Sequence, residues 1–283
     1  MRNISAKQTQ KIAMAGIWGG GVITLLLLIV IIGYVLIQGL PGINWEFLST
    51  NPKGGLSGEG GILSTVVSTL YLIGITLVIL VPLGIGSAVY LSEYAPNNRL
   101  TRIIRYGIET LAGIPSIIFG LFGYALFVTA LSFKFSILSG ALTLVCLLLP
   151  TMITTTEEAL KAVSYSYREA ALALGTTRWQ MISRIVLPSA LPGIVTAVIL
   201  CIGRAIGETA CLYVTMGGSA AMPSSLLEGG RTLSLHVYYL AMETNAMGKA
   251  MATAAILIII IILINGLTNW LAGRFQRKMK GIS

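Results

Sequence analysis

Two residues in an apolar stretch of this chain invite a chemical reading first. Arg204 and Glu208 stand in Gly203-Arg-Ala-Ile-Gly-Glu-Thr-Ala210, inside a hydrophobic segment from about Leu191 to Met216. On a helix begun at Leu191, Arg204 lies about 20 Å along the axis, near the middle of a bilayer crossing. A charge at that depth costs roughly 2.5–3.5 kcal/mol on insertion scales. Such residues line a polar path or neutralise one another. Positions i and i+4 share a helix face, so one reading is a self-neutralising pair that ties helices together. The other is an anion site, because a guanidinium keeps its charge when desolvated and its planar fork suits an oxyanion. Glu208 would repel a fully ionised anion. It fits if it holds Arg204 until the anion competes, or if it accepts a hydrogen bond from a protonated oxygen, which hydrogen phosphate has and sulfate lacks. Cys201 and Cys211 fall on the same side of that helix and are small enough to line a channel.

Little else in the sequence offers catalytic chemistry. All ten acidic residues are Glu, His236 is the single histidine, and Cys146, Cys201 and Cys211 show no CxxC spacing. Neither a metal site, a disulfide framework nor a catalytic constellation is expected. No GxxxxGK[ST] pattern is present, so a nucleotide site of that type is not expected in this chain.

The elements that must position Arg204 and Glu208 are membrane helices. Of 283 residues, 55% are apolar and only 10% charged, against roughly 25% charged in a soluble domain. Apolar runs of about 20 residues read as crossings. Six are expected: Ile12–Gln38, Ile62–Ser92, Ile103–Leu131, Ile137–Leu160, Leu191–Met216 and Lys249–Gly273. The first is too long for a signal core and lacks a cleavage pattern, so it reads as an uncleaved anchor. Most of the 19 basic residues precede the first span, separate the second from the third and the fourth from the fifth, or follow the sixth. Lys53, Lys134, Arg231 and Lys249 fall on the other side. By the positive-inside rule both termini are cytoplasmic. The net charge of +9 follows from that topology and from contact with the anionic bilayer surface, with no nucleic acid partner.

The longest cytoplasmic connection, about 157–190, carries its own signals. Ser166-Tyr-Arg-Glu169 and Thr177-Arg-Trp-Gln180 read as capping boxes. Gly175 lies between them, where a helix can end in the left-handed conformation. Trp179, Ile182, Ile185 and Val186 recur at helical spacing, and Pro188 and Pro192 read as the end of the second helix. An amphipathic surface loop without a partner has the same periodicity.

At this point the sequence resembles a known family. Glu169-Ala170-Ala171, three residues, Gly175, nine residues, Ile185, one residue and Leu187-Pro188 match the EAA signature of ABC importer permeases at every fixed position. The segments Pro82-Leu-Gly-Ile-Gly-Ser-Ala-Val-Tyr-Leu-Ser-Glu-Tyr-Ala95, Leu111 to Phe122, Thr154 to Glu158 and Arg204 to Ala210 are similar to PstA-type permeases of phosphate importers. One departure is Cys211, where that pattern has proline, which puts the local helix geometry in question. The resemblance implies an all-α, type I (MetI-like) permease fold in a bacterial or archaeal plasma membrane. It would comprise an N-terminal part (1–60) and a transport domain (61–283) with coupling helices in the loop.

It also implies a transport subunit and not an enzyme. It would work with a PstC-type second permease, two PstB-type ATPases that use ATP and magnesium, and a PstS-type extracytoplasmic binding protein. Under the resemblance Glu169, Ala170, Ala171, Gly175, Ile185, Leu187 and Pro188 contact the ATPase, and Arg204 and Glu208 bind substrate. A permease for sulfate, molybdate or an amino acid, or a secondary transporter, stands as the alternative. No matching pair of broken helices in inverted halves supports the last. Gly113, Pro115, Ser116 and Gly120 suit a close contact or a bend in the third span, and Glu109 suits a local pair with Arg105.

Overall fold

A computed structural model describes residues 6–53 and 58–279. Arg2 and Lys280, two of the bases used for orientation, lie outside them. Among the described residues the architecture is all helical, with two isolated β-bridges in the connections. The helices are α1 (Ala6–Gly39), α2 (Trp45–Ser49), α3 (Leu63–Val89), α4 (Arg99–Ala112), α5 (Ser116–Gly123) and α6 (Ile137–Lys161). There follow α7 (Tyr165–Ala173), α8 (Arg178–Met181), α9 (Leu187–Gly207), α10 (Ala210–Tyr213), α11 (Leu233–Met242) and α12 (Met247–Met279). Five helices are long and apolar enough to cross a membrane, and a sixth crossing results if the bent pair α4–α5 counts as one.

That bent pair takes the second of the two roles open to Gly113 and Pro115, a bend instead of a close contact, within what hydropathy reads as one span from Ile103 to Leu131. α4 and the run Ser116–Ala130 meet at 104°, because Gly113-Ile-Pro115 interrupts the helix and Pro115 caps the next one in extended conformation. Proline lacks the N–H that would continue the ladder. α4 is amphipathic, with Arg99 and Arg102 beside exposed Leu100, Ile103 and Tyr106, the pattern of a helix lying in an interface.

The core is the trio α3, α6 and α9. Leu72, Leu80, Leu144, Leu148 and Met152 are fully buried there. Helices in lipid associate through close packing and not through the hydrophobic effect, so small residues sit at the contacts. Gly84 lies against Met152, Gly193 against Ala159, and Gly123 against Thr143, each with no room for a methyl group. α1 packs along α12, where Gly39 meets the backbone of Met251, and its apolar window is otherwise unburied. On the side opposite the α7–α8 loop, α11 is fastened to α3 by the Leu233 N–H donating to Thr69 Oγ1 at 2.9 Å.

Candidate functional site

The α7–α8 loop forms two short helices joined at Gly175, whose φ of +80° explains why glycine stands there. The box at Thr177 is present: its hydroxyl accepts from the Gln180 N–H at 3.2 Å, and the Gln180 side chain accepts from the Thr177 N–H at 2.9 Å. The box at Ser166 is not. α7 starts two residues earlier, with Ser164 at the cap position and its hydroxyl 2.8 Å from that of Ser166.

The expected stop at Pro188 and Pro192 is also corrected. The chain runs from α8 through a π-helical turn, Ile182–Val186, straight into α9, with Pro188 in the first turn of α9 and Pro192 within it. A wider turn relieves the register where prolines remove donors. α8, the second short helix of the loop, is thus continuous with the fifth span. Ile182 and Val186 are buried, whereas Trp179 is 62% exposed and leaves their face. Glu169 and Ala170 are exposed on α7, Ala171 is buried, and Gly175 faces open space. Ile185 and Leu187 are half-buried against the core that Ala171 and Ile182 share.

Two buried ionic clusters that spacing did not reveal brace this loop. Glu93, just past α3, receives Arg168 Nη2 at 2.8 Å, and the same guanidinium donates to the carbonyls of Val163 (2.6 Å) and Leu160 (2.8 Å). Arg105 of α4 pairs with Glu157 of α6 and donates to the Leu91 carbonyl at 2.7 Å, and Lys161 joins Glu157 at 2.7 Å. The expected Arg105–Glu109 pair is replaced by this one. A signal for the first cluster was available. Glu93 follows an apolar run with no base within one helical turn, so its partner had to be remote.

Arg204 and Glu208 are not brought together as the i, i+4 spacing suggests. α9 ends at Gly207, and Glu208 is extended (φ −71°, ψ 131°). Glu208 is half-buried. Its Oε1 accepts from the Cys211 N–H at 3.4 Å, and its carbonyl accepts from the Ser234 hydroxyl at 2.7 Å. Arg204 is exposed on the flank of α9 and, among the described residues, makes no ion pair or side-chain hydrogen bond. It continues a stripe of Pro192, Thr196, Leu200 and Gly207 that is exposed and that nothing else among the described residues covers. Cys201 and Cys211 are fully buried in the main core, so they line no path from this chain.

The break at Glu208 forms without the proline of the related pattern. Gly207 is the signal that was available for it, since a late glycine marks a helix end. Cys211 packs on Gly120 of α5, one turn before the contact of Gly123 with Thr143, so the break lies inside the helical body. Gly120 is thus a packing position, and Gly113 and Pro115 belong to the bend.

On the opposite side, buried His236 receives a contact from Arg231 Nη1 to Nδ1 at 3.4 Å. Burial, reinforced by Arg231 and Lys249, lowers its pKa to about 4. It is a neutral packing residue, and no group of metal-binding side chains occurs among the described residues.

Residues 80–281 match the family described as the binding-protein-dependent transport system inner membrane component. A probable ABC transporter permease protein of Bacillus subtilis, YqgI, is 33% identical, covering 98% of this chain and 99% of its own. The phosphate transport system permease protein PstA 1 of Mycobacterium tuberculosis is 38% identical over 73% of this chain and 68% of its own. Among solved structures, a bacterial importer of the acidic polysaccharide alginate aligns over 95% of this chain and 99% of its own, with TM-score 0.64 and 17% identity. The MetNI methionine transporter aligns over 77% and 94%, with TM-score 0.54 and 20% identity. These two speak for the type I importer fold alone.

Proposed function

The chain belongs to the family of binding-protein-dependent transport system inner membrane components, and from that premise we propose that it carries inorganic phosphate across the membrane, with Arg204 as its anion ligand. It is a multi-pass permease subunit of an ABC importer, and the name of the mycobacterial relative supports phosphate as the cargo.

The observation that carries the assignment is Arg204. A guanidinium on an uncovered face of a spanning helix, without a partner among the described residues, does not face lipid at the cost such a charge incurs. It faces a second permease subunit and the path between the two. One guanidinium does not balance hydrogen phosphate while Glu208 stays ionised, so the PstC-type partner supplies further positive charge. Glu208, held at the break by Ser234 and Cys211, accepts a hydrogen bond from the protonated phosphate oxygen.

The α7–α8 loop, with exposed Glu169 and Ala170, seats in the ATPase subunits on the cytoplasmic side, where both termini also lie. Two PstB-type ATPases bind and hydrolyse ATP with magnesium, and a PstS-type protein delivers phosphate to the opposite face. Closure of the ATPases moves the loop, and because α8 runs unbroken into α9, α9 moves with it. The cavity then changes its accessible side by rigid-body rocking. Residues 61–283 form the transport body, and α1 is a peripheral addition on α12.

Labelled-phosphate uptake by the assembled complex, with excess sulfate as competitor, tests this reading. Arg204→Gln is expected to lower uptake about 10- to 100-fold while the ATPase still co-purifies, and uptake by the parent is expected to survive sulfate. Normal uptake in Arg204→Gln overturns the site, and suppression by sulfate overturns the substrate. Glu208→Gln is expected to narrow the preference for phosphate over sulfate; an unchanged rate and preference removes Glu208 from the site.

A further inference from the structure

We infer that Glu93 and Arg168 are positioning residues for energy transfer: their buried ion pair locks the coupling helix α7 to the end of α3, so that the two move as one body. The inference rests on the reading of the α7–α8 loop as the ATPase contact.

Arg168 immediately precedes Glu169 on α7, yet it points the other way. Glu169 is exposed for a partner, while the Arg168 side chain is 12% exposed and its partner Glu93 7%. The guanidinium joins three pieces of backbone that share no helix: the turn after α3 through Glu93, the end of α6 through the Leu160 carbonyl, and the α6–α7 linker through the Val163 carbonyl. A planar fork with several fixed donors makes such a joint directional, which a lysine does not reproduce.

Around it, Val89, Leu91, Leu160, Val163 and Ala171 close into one apolar cluster. One step further, Leu91 offers its carbonyl to Arg105 of α4. α4 leads through the bend at Pro115 into α5, whose Gly120 carries Cys211, three residues past Glu208. A force on α7 therefore has two routes into the membrane. One is direct, along α8 into α9. The other crosses the Glu93–Arg168 joint into α3. Without the joint, α9 moves and α3 lags, and the two sides of the core no longer shift together.

The test uses the full complex in proteoliposomes and reads labelled phosphate transported per ATP hydrolysed. Glu93→Gln is expected to assemble and to keep hydrolysing ATP while that ratio falls about tenfold. The double variant Glu93→Arg with Arg168→Glu is expected to regain part of the ratio. An unchanged ratio in Glu93→Gln overturns the inference. Should Glu93→Gln not assemble, Arg168→Lys takes its place, and a normal ratio there, or failure of every variant to assemble, reduces the pair to a folding element.

Glu169→Arg is the control for the underlying reading. If that variant still binds and drives the ATPase, the loop is not the contact and the premise fails. If it uncouples while Glu93→Gln does not, only the joint fails. If the parent complex moves no phosphate, the substrate reading fails, and stimulation of ATP hydrolysis by the binding protein replaces uptake as the readout.

Discussion

The charges beside the α7–α8 loop and the charge at Arg204 are handled in opposite ways. Near the loop, Glu93, Arg168, Glu157 and Arg105 are paired within the chain, and both carboxylates are buried. Arg204 is exposed, with no ionic partner among the described residues. A charge enclosed and paired inside one chain holds a shape. A charge left open in an apolar span is completed by something outside the chain. The first region is fixed by its own ion pairs, and the second leaves its guanidinium free to meet a group from outside, as the proposed function requires.

The sharpest way to break this comparison is Arg168→Ala. It strands Glu93 in a buried site, and breaking one side of such a pair costs about 3–5 kcal/mol. Thermal unfolding of the purified complex is expected at clearly lower temperature, and an unshifted midpoint would show that the pair holds nothing.

Next comes a buried titratable group held without an ion pair. His236 has a folded pKa of about 4 against an ordinary value near 6.5. The unfolded state therefore binds the extra proton first. Stability is full above pH 6.5, declines as pH falls towards 4 and is flat below, a loss of about 3 kcal/mol. Arg231 and Lys249 oppose its protonation, with Glu59, Glu243, Lys53 and Tyr239 around the same cavity. In His236→Gln the slope of stability between pH 6.5 and 4 is expected to flatten, and a slope identical to the parent's would assign it elsewhere.

Arg204→Gln inverts the pattern of Arg168→Ala. Loss of a hydrogen-bonded charge at the ligand is worth roughly 1.5–3 kcal/mol, or about 10- to 100-fold in uptake. Stability is expected to stay within about 0.5 kcal/mol. A large drop in stability would make Arg204 a structural residue like Arg168. The smallest effect belongs to the cap at the loop. Thr177→Ala removes the acceptor for the Gln180 N–H and costs about 1 kcal/mol, read as faster hydrogen exchange at Gln180 and Met181. Unchanged exchange there would mean that the continuity with α9 alone holds α8.

Sequence and structure agree where information is local. Gly175 between α7 and α8, the box from Thr177 to Gln180, and the spans that became α1, α3, α6 and α12 were all legible, because caps, a positive-φ glycine and apolar length act within a few residues of themselves. The third and fifth spans misled for one shared reason. Hydropathy measures how apolar a segment is and is blind to its direction, so the size of the 104° turn at Pro115, where the glycine and proline allowed a bend, and the extended Glu208 were both missed. The prolines at 188 and 192 misled in the opposite sense, since a π turn absorbed what the rule takes as a stop.

By itself, then, the sequence determined the solvent of this protein, its helical class, the signature of its family and the presence of an arginine within an apolar span. Only the tertiary structure decided which charges are partnered. Arg168 finds Glu93 75 positions away, and Arg105 finds Glu157 52 positions away instead of Glu109 four positions on. Arg204 is left open although Glu208 stands four residues along the chain. The physical reason is that an ion pair is selected by direction and burial in the packed molecule, and neither is a property of spacing along a chain.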